Sequence, residues 1–364
     1  MTPTVSRRQV LGFRVRAQQL DRAAGTVADT AVLDLGVQDT GADGGRWALA
    51  LRGVDVAALP DDALALAWTL RGAPHLYRRA DIPGVAAATQ PFSEADAAKR
   101  VFDAAKPLHA AGIPVLTALD EVAAALRSIV TGPMVKGDVS GRLNEVLPAP
   151  YLRECRPCNA VHVHEQPFRL AALRAGLELE EGTSPPVLRP VPGPGPAAEV
   201  PAGLDVVRGY LRLLGPATRQ HVAGYLDAPV KDVAAHWPAD AAEVTVDGER
   251  RWVLAGDVDR LTVDPAPVTR LLGPFDLFLQ ARDRALVVPD GARAKELWRV
   301  LGRPGGVLAD GEVVGTWRAR KARDSVSVAV ELWAPADRAA LHEQAERLAA
   351  FRGLRLGAVE VTGP

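Results

Sequence analysis

The chain has only two cysteines, Cys155 and Cys158, in 364 residues. Two thiols cannot make the disulfide framework of a small secreted domain, and a chain this long buries enough core to need no staples. Long apolar runs are also missing. No uninterrupted stretch reaches the length that spans a bilayer. The N-terminal segment MTPTVSRRQVLGFRVRAQQ has arginines inside its apolar stretch and lacks the h-region of a secretory leader, so a cytoplasmic protein away from membranes is expected. Excess charge of either sign is absent. The 43 lysines and arginines offset 44 aspartates and glutamates, giving a net charge of −1. A global basic field is thereby excluded, and contact with any polyanion has to rest on local clusters. There is no phosphate loop, nucleotide-binding glycine fingerprint or zinc-protease helix motif.

What is present is a globular balance, 48% hydrophobic and 24% charged, in a length that suggests two or three domains. Residues 6–20 pattern as a helix with Val10, Phe13 and Ala17 on one face. Leu64, Leu66, Trp68 and Leu70 alternate with small or polar residues, which predicts a half-buried strand, and His75-Leu76-Tyr77 returns as its partner after the break Arg71-Gly72-Ala73-Pro74. Ser93 opens a helix with Asp96 three residues on. Further helices are predicted over 117–130, 135–146 and 168–175, an irregular stretch over 155–167, and strands over 177–179 and 187–191. The run PVPGPGPAAEVP, residues 190–201, propagates neither regular structure and is read as a domain boundary. Beyond it come three helices over 204–214, 218–226 and 230–237, then a hairpin turning at Asp247-Gly248. Three helices and a hairpin make a winged helix, whose third helix would be the one offered to a groove. A second hairpin turns at Asp310-Gly311, a strand covers 325–332, and a helix covers 336–351.

Five segments occur together and in order: LGVQDTG (35–41), WTLRGAPH (68–75), EQPFRLAAL (165–173), VRGYLRLLGPAT (207–218) and DGEVVGTWRARK (310–321). With them the chain resembles, over nearly its whole length, the bacterial winged-helix DNA-binding proteins that include the azinomycin-resistance DNA glycosylase. The resemblance implies an α+β fold of three tandem winged-helix units, 1–91, 92–192 and 193–364, arranged as a C-shaped clamp, with extra C-terminal strands and a helix. It implies a monomer, associated with the nucleoid, that binds damaged double-stranded DNA. The implied activity is that of a repair glycosylase hydrolysing the N-glycosidic bond of bulky alkylated purines, with some members unhooking interstrand crosslinks. No cofactor is implied. The alternatives are a non-catalytic winged-helix DNA-binding protein, such as a transcription factor or lesion binder, and a protein that binds a DNA-damaging compound in its cleft.

Active members carry a glutamine, one intervening residue, and a glutamine or aspartate, because base excision needs a polar group to position water and stabilise charge developing on the sugar. Gln38 matches the first position. Thr40 stands at the second, where a hydroxyl holds a water but is a poor base, and Asp39 lies between them; the same residues also suit a plain turn. Arg71 and His75, on the first predicted wing, are candidates for a phosphate and a lesion contact, against a structural turn with a satisfied histidine. Arg318, Arg320, Lys321 and Arg323 form the densest basic run, at the end of a hairpin strand, suited to phosphate contact or equally to a solvated loop. Lys136 and Arg142, on a predicted helix, are further candidates for the DNA backbone.

Cys155, Cys158, His162 and His164 supply zinc-type ligands, but the histidines are one residue apart instead of the roughly three to five of finger sites. The alternative is a pair of free thiols in a loop, and no metal is expected. With net charge near zero, non-specific duplex binding should be micromolar at best and fall steeply with added salt in a titration. Binding indifferent to salt would overturn the phosphate contacts.

Overall fold

Local chemistry sets the first helix. After β1 (Thr4–Val5), Ser6 starts α1 (Arg7–Ala17) with a capping box, its hydroxyl accepting from the Gln9 amide while the Gln9 side chain accepts from the Ser6 amide. The computed structural model describes residues 2–41, 43–156, 159–263 and 265–364. Next come β2 (Val37–Gln38), α2 (Gly44–Ala50), β3 (Leu64–Trp68) and β4 (Pro74–Arg78). Then follow α3 (Ile82–Ala88), α4 (Glu94–Arg100), α5 (Ala105–Ala110) and α6 (Val115–Ile129). Ser93 caps α4 by accepting from the Asp96 amide, as expected.

The chain continues through β5 (Met134–Val135), α7 (Lys136–Val146), β6 (Leu152–Cys155), β7 (Ala160–Val163), α8 (Glu165–Arg174), β8 (Leu177–Leu179) and β9 (Val187–Pro190). After them come α9 (Val206–Leu214), α10 (Arg219–Leu226), α11 (Val230–Ala235), β10 (Ala241–Val246) and β11 (Glu249–Leu254). The last part holds β12 (Thr269–Leu272), α12 (Arg284–Val287), α13 (Gly291–Leu297), β13 (Gly305–Ala309), β14 (Glu312–Lys321), β15 (Ser325–Leu332), α14 (Arg338–Phe351) and β16 (Arg355–Thr362). Both Asp-Gly pairs take left-handed backbone, Asp247 at φ 48° with Gly248 at 85° and Asp310 at 49° with Gly311 at 88°, as tight hairpin turns require.

The residues gather into two compact units interleaved in sequence: 1–60, 208–222 and 238–364 form one, and 61–207 with 223–237 the other. Neither begins or ends at residue 91 or 192. The proline- and glycine-rich run is packed inside the second unit instead of bounding it. Ala197 donates to the Pro83 carbonyl at 2.8 Å, and a side-chain carbon at Gly84 would lie 2.8 Å from Pro201.

In the first unit, β12 to β16 form a five-stranded sheet in sequence order, and β1, β10 and β11 a three-stranded one. β16 runs parallel to β15, a strand the sequence pattern did not announce. Between the apolar layers lie buried ion pairs. Arg14, fully buried on α1, grips both oxygens of Asp283 at 3.0 and 2.7 Å and donates to the Gly215 carbonyl at 3.1 Å. Arg251 of β11 pairs with the same carboxylate. Arg52 holds Asp276 in a second bidentate pair at 2.8 and 3.0 Å.

In the second unit the strand order runs β4, β3, β8, β9, β5. All five residues of β3 are buried, not the alternate ones expected, because both faces are covered: Ala65 and Ala67 pack with Ile82, Val85 and Ala86 of α3, and Trp68 packs on Phe168 of α8 at 5.6 Å. α6 buries Val115, Ala118, Leu119, Val122 and Leu126, the stripe of an amphipathic helix, and packs on the helices around it, above all α8. The stretch 155–167, expected to be irregular, instead contains part of an antiparallel β6–β7 hairpin and the start of α8. Its strands are mostly exposed or half-buried, so no buried alternation marked them. Among the described residues no single helix is long and apolar enough to cross a membrane.

Asp283 should be indispensable to the first unit. Burial alone would raise its pKa, but Arg14 and Arg251 outweigh burial and hold it below the ordinary value of 3.8. Asp283→Asn leaves two buried guanidinium groups without their counter-charge and should cost about 3–5 kcal/mol in urea unfolding. A depressed carboxylate stabilises fully above its unfolded pKa, so the gap between variant and wild type should hold from pH 8 to 5 and close only below about 3.8. A loss under about 1 kcal/mol would remove the pair from the role assigned to it.

Candidate active site

The segment after β2 is organised by alternation. Gln38 and Thr40 project together, the Gln38 side-chain amide donating to the Thr40 hydroxyl at 2.9 Å. Asp39 turns the other way, one carboxylate oxygen accepting from the Gly45 amide at 2.8 Å, at the start of α2. Gly41 follows at φ +98°, where a side chain would strain the backbone. α2 is in turn splinted by α14. The Arg352 guanidinium, just past α14, grips Asp43 at 2.6 and 3.1 Å. The Trp47 and Phe351 rings lie 5.2 Å apart, and Arg347 donates to the Ala50 carbonyl. The outcome is an amide and a hydroxyl in direct contact, with a neighbouring carboxylate engaged by the backbone.

Arg71 and His75 belong to the second unit and serve its framework. Arg71 sits at φ 60° in the turn between β3 and β4, donates to the Tyr225 carbonyl at 2.8 Å and stacks 4.5 Å above the Tyr225 ring. His75 has no exposed surface, which corrects its expected lesion contact. Its Nδ1 lies 2.9 Å from the Ala73 carbonyl and 3.0 Å from the Thr69 hydroxyl, which also meets the Tyr77 hydroxyl at 2.8 Å. Burial drives the His75 pKa down to about 3, with Arg71 adding to the effect, and burial raises Tyr77. At Gly72 an added Cβ would meet Gln166 Oε1 at 2.3 Å, and Arg169 donates to the Gly72 carbonyl at 3.1 Å. The start of α8 therefore braces this turn, a link between two of the five sequence motifs that neither motif shows alone.

The remaining candidates divide by exposure. Lys136 is held at 2.7 and 2.9 Å by both oxygens of Glu165, which also takes Arg169 at 2.6 Å. Its charge is thus paired within the fold, and its side chain stays partly exposed. Burial acts to raise the Glu165 pKa, but Lys136 and Arg169 prevail and hold it low. Arg142 is exposed on α7. Arg318, Arg320 and Lys321 are exposed along the end of β14, and Arg323 follows in the turn. Lys321 lines a pocket of about 390 Å³ with Asp43, Phe351, Arg352 and Leu354. Arg318 lines another of about 230 Å³ with Arg303 and Arg352. Asp43 and Arg352 were not picked out from the sequence, where they read as a loop aspartate and the end of a helix.

Cys158 lies outside the described residues. Cys155 ends β6, His162 pairs across the hairpin with Arg153, and His164 is buried. Among the described residues no group of three or more histidines, cysteines or carboxylates is placed to hold a metal ion.

Residues 32–351 match the model of the DNA glycosylase AlkZ-like family, and the chain belongs to that family. It is a DNA repair glycosylase by class, a hydrolase with DNA as its substrate. Among solved structures, the Streptomyces sahachiroi DNA glycosylase AlkZ shares the fold with a TM-score of 0.72 at 20% identity, covering 99% of this chain and 100% of that one. No curated protein matches the chain in sequence.

The buried His75 predicts a pH effect. From pH 6.5 down to about 3 the unfolded chain binds a proton at this ring that the native state refuses, so stability rises with pH across that window. Relative to His75→Phe, wild type should lose about 2 kcal/mol between pH 7 and pH 5 in urea unfolding. Parallel curves for the two proteins would show that the ring takes up its proton without cost.

Proposed function

We propose that the chain hydrolyses the N-glycosidic bond of a bulky alkylated purine in double-stranded DNA, acting as a monomer, with the reacting water held by Gln38 and Thr40. The observation that carries this reading is the 2.9 Å contact between the Gln38 amide and the Thr40 hydroxyl. It supports treating the two as one polar pair, with threonine standing where relatives are expected to carry an amide or carboxylate. Alkylation at a purine ring nitrogen makes the base cationic, so the bond from the sugar carbon to the base nitrogen breaks with little help. The base leaves with the bonding electrons and becomes neutral, water adds to the sugar carbon, and the water's proton passes to solvent. The protein's task is then to place the water and stabilise a cationic sugar, which needs oriented dipoles more than a strong base. Asp39 adds negative charge beside the pair while serving the start of α2.

The element order supports three winged-helix units on which this site is carried. In the middle of the chain, α6, β5, α7, α8, β8 and β9 follow in the order of a winged helix, with β9 pairing both β8 and β5. The β6–β7 hairpin occupies the place of the usual turn between the two helices α7 and α8. Toward the C-terminus, α9, α10, α11 and the β10–β11 hairpin repeat the pattern. At the start, the chain order α1, α2, β3, β4 is a shortened form of the same order. The exposed basic end of β14, with Arg318, Arg320 and Lys321, is the proposed contact to the DNA backbone, and Arg142 a second one.

A duplex carrying one N7-alkylguanine tests the reading by base release. Wild type should excise the base, and Gln38→Ala should lower the single-turnover rate by about a hundredfold or more while leaving duplex affinity intact. Release unaffected by Gln38→Ala would move the chemistry elsewhere. No release from either protein, with binding retained, would leave a protein that grips DNA without cutting this bond.

A further inference from the structure

The first unit gathers three arginines about one pocket, and among the described residues only Arg352 of the three is paired with a carboxylate, that of Asp43. Arg303 is half-buried, stacks 4.8 Å from the Phe275 ring, and its Nε is buried with no hydrogen-bond partner. Among the described residues it makes no ion pair. Burial and the neighbouring charges of Arg284 and Arg282 depress its pKa, the mark of a cation set among cations. Arg303 faces the pocket of about 230 Å³ that Arg318 and Arg352 also line, and no acidic residue lines it among the described residues.

The pocket is sculpted as well as charged. At Gly305 an added Cβ would lie 2.2 Å from Trp317 Nε1 and 2.4 Å from the Leu272 carbonyl, so only glycine lets the Trp317 ring pack this closely as a wall of the pocket. Trp317 is fixed by donating to that carbonyl at 2.8 Å. Arg318 spends one nitrogen on the Gly302 carbonyl at 2.8 Å. Arg352 spends Nε and Nη2 on Asp43, which leaves the Nη1 hydrogens for another acceptor.

We propose that the pocket of Arg303, Arg318 and Arg352 binds a single phosphate of the DNA backbone. The two non-bridging oxygens of a phosphodiester monoanion there meet three guanidinium donors, a geometry that guanidinium forks favour. The placement is specific beyond a generally basic surface, because Arg303 stands off the β14 run and Arg352 is the residue that holds Asp43 at the start of α2. The inference rests on DNA being the substrate but not on Gln38 carrying the chemistry.

The test is duplex affinity measured against salt for wild type, Arg303→Gln, Arg318→Gln and the double variant, with Arg303→Lys as a charge-retaining control and thermal melts to confirm folding. One shared phosphate means that the double variant lowers the logarithmic salt slope by about one, not two, so that raising salt from about 50 to 200 mM costs it about fourfold less affinity than it costs wild type. Arg303→Lys should keep most of the slope. An unchanged slope in the double variant, or a drop of about two, overturns the proposal. Inorganic phosphate at matched ionic strength separates the sources. Protection from melting in wild type that is lost in the double variant, without any change of slope on duplex, assigns the pocket to free phosphate and overturns the DNA contact. Gln38→Ala run alongside should lose base release with its slope intact, so failure of the pocket and failure of the catalytic reading give different results.

Discussion

The carboxylate of Asp283 is the point on which the first unit hangs. It is buried, it satisfies Arg14 on both oxygens, and Arg251 shares one of them. Charges so far from water survive only when each finds its partner, so α1, β11 and the segment before α12 have to arrive together. The second buried pair, Arg52 with Asp276, extends the same constraint. Arg52 also donates to the Gln18 carbonyl at 2.8 Å, and Gln18 donates to the Leu213 carbonyl at 3.0 Å. α1 and the end of α2 are thereby locked by charge, and the segment carrying Gln38 and Thr40 is strung between them. The polar pair is positioned by rigid neighbours on both sides, which is what the proposed water-placing role asks of it.

Arginine does two different jobs in this chain, and composition cannot separate them. Arg14, Arg52, Arg71 and Arg169 are spent on carboxylates, carbonyls and ring faces within the fold. Those on β14 reach solvent. A net charge of −1 therefore says little about the surface, since much of the positive charge is consumed inside. The useful quantity is which cations lack a counter-charge, and that is a property of packing.

Elements whose signals are local were legible in the sequence. The capping box at Ser6, the Ser93 cap, the two Asp-Gly turns and the stripe of α6 each depend on residues a few positions apart. The i, i+2 spacing of Gln38 and Thr40 came from the family resemblance, and the contact between their side chains is what the extended backbone there adds. Features decided by distant partners were not legible. The full burial of β3 depends on α8, where Phe168 packs on Trp68 from a hundred positions along the chain. β16 depends on a parallel neighbour. The pairing of Lys136 with Glu165 joins two separate segments of the chain, and the burial of His75 follows from the fold that closes over it. Asp43 and Arg352 stand 309 positions apart, so no window along the chain joins them.

The interleaving of the two units sets an order of synthesis. Residues 61–207 need only the short stretch 223–237 to be complete, so the second unit closes while the chain is still being made. The first sixty residues have no such early partner. Arg14 waits 269 positions for Asp283, and Asp43 waits until the end of α14 emerges. A nascent chain thus carries a finished inner unit flanked by an unfinished N-terminal arm whose apolar face stays uncovered until translation is nearly over. That arm is the part most dependent on chaperone cover, and no partial product ending before α14 can assemble the Gln38 segment in its final setting.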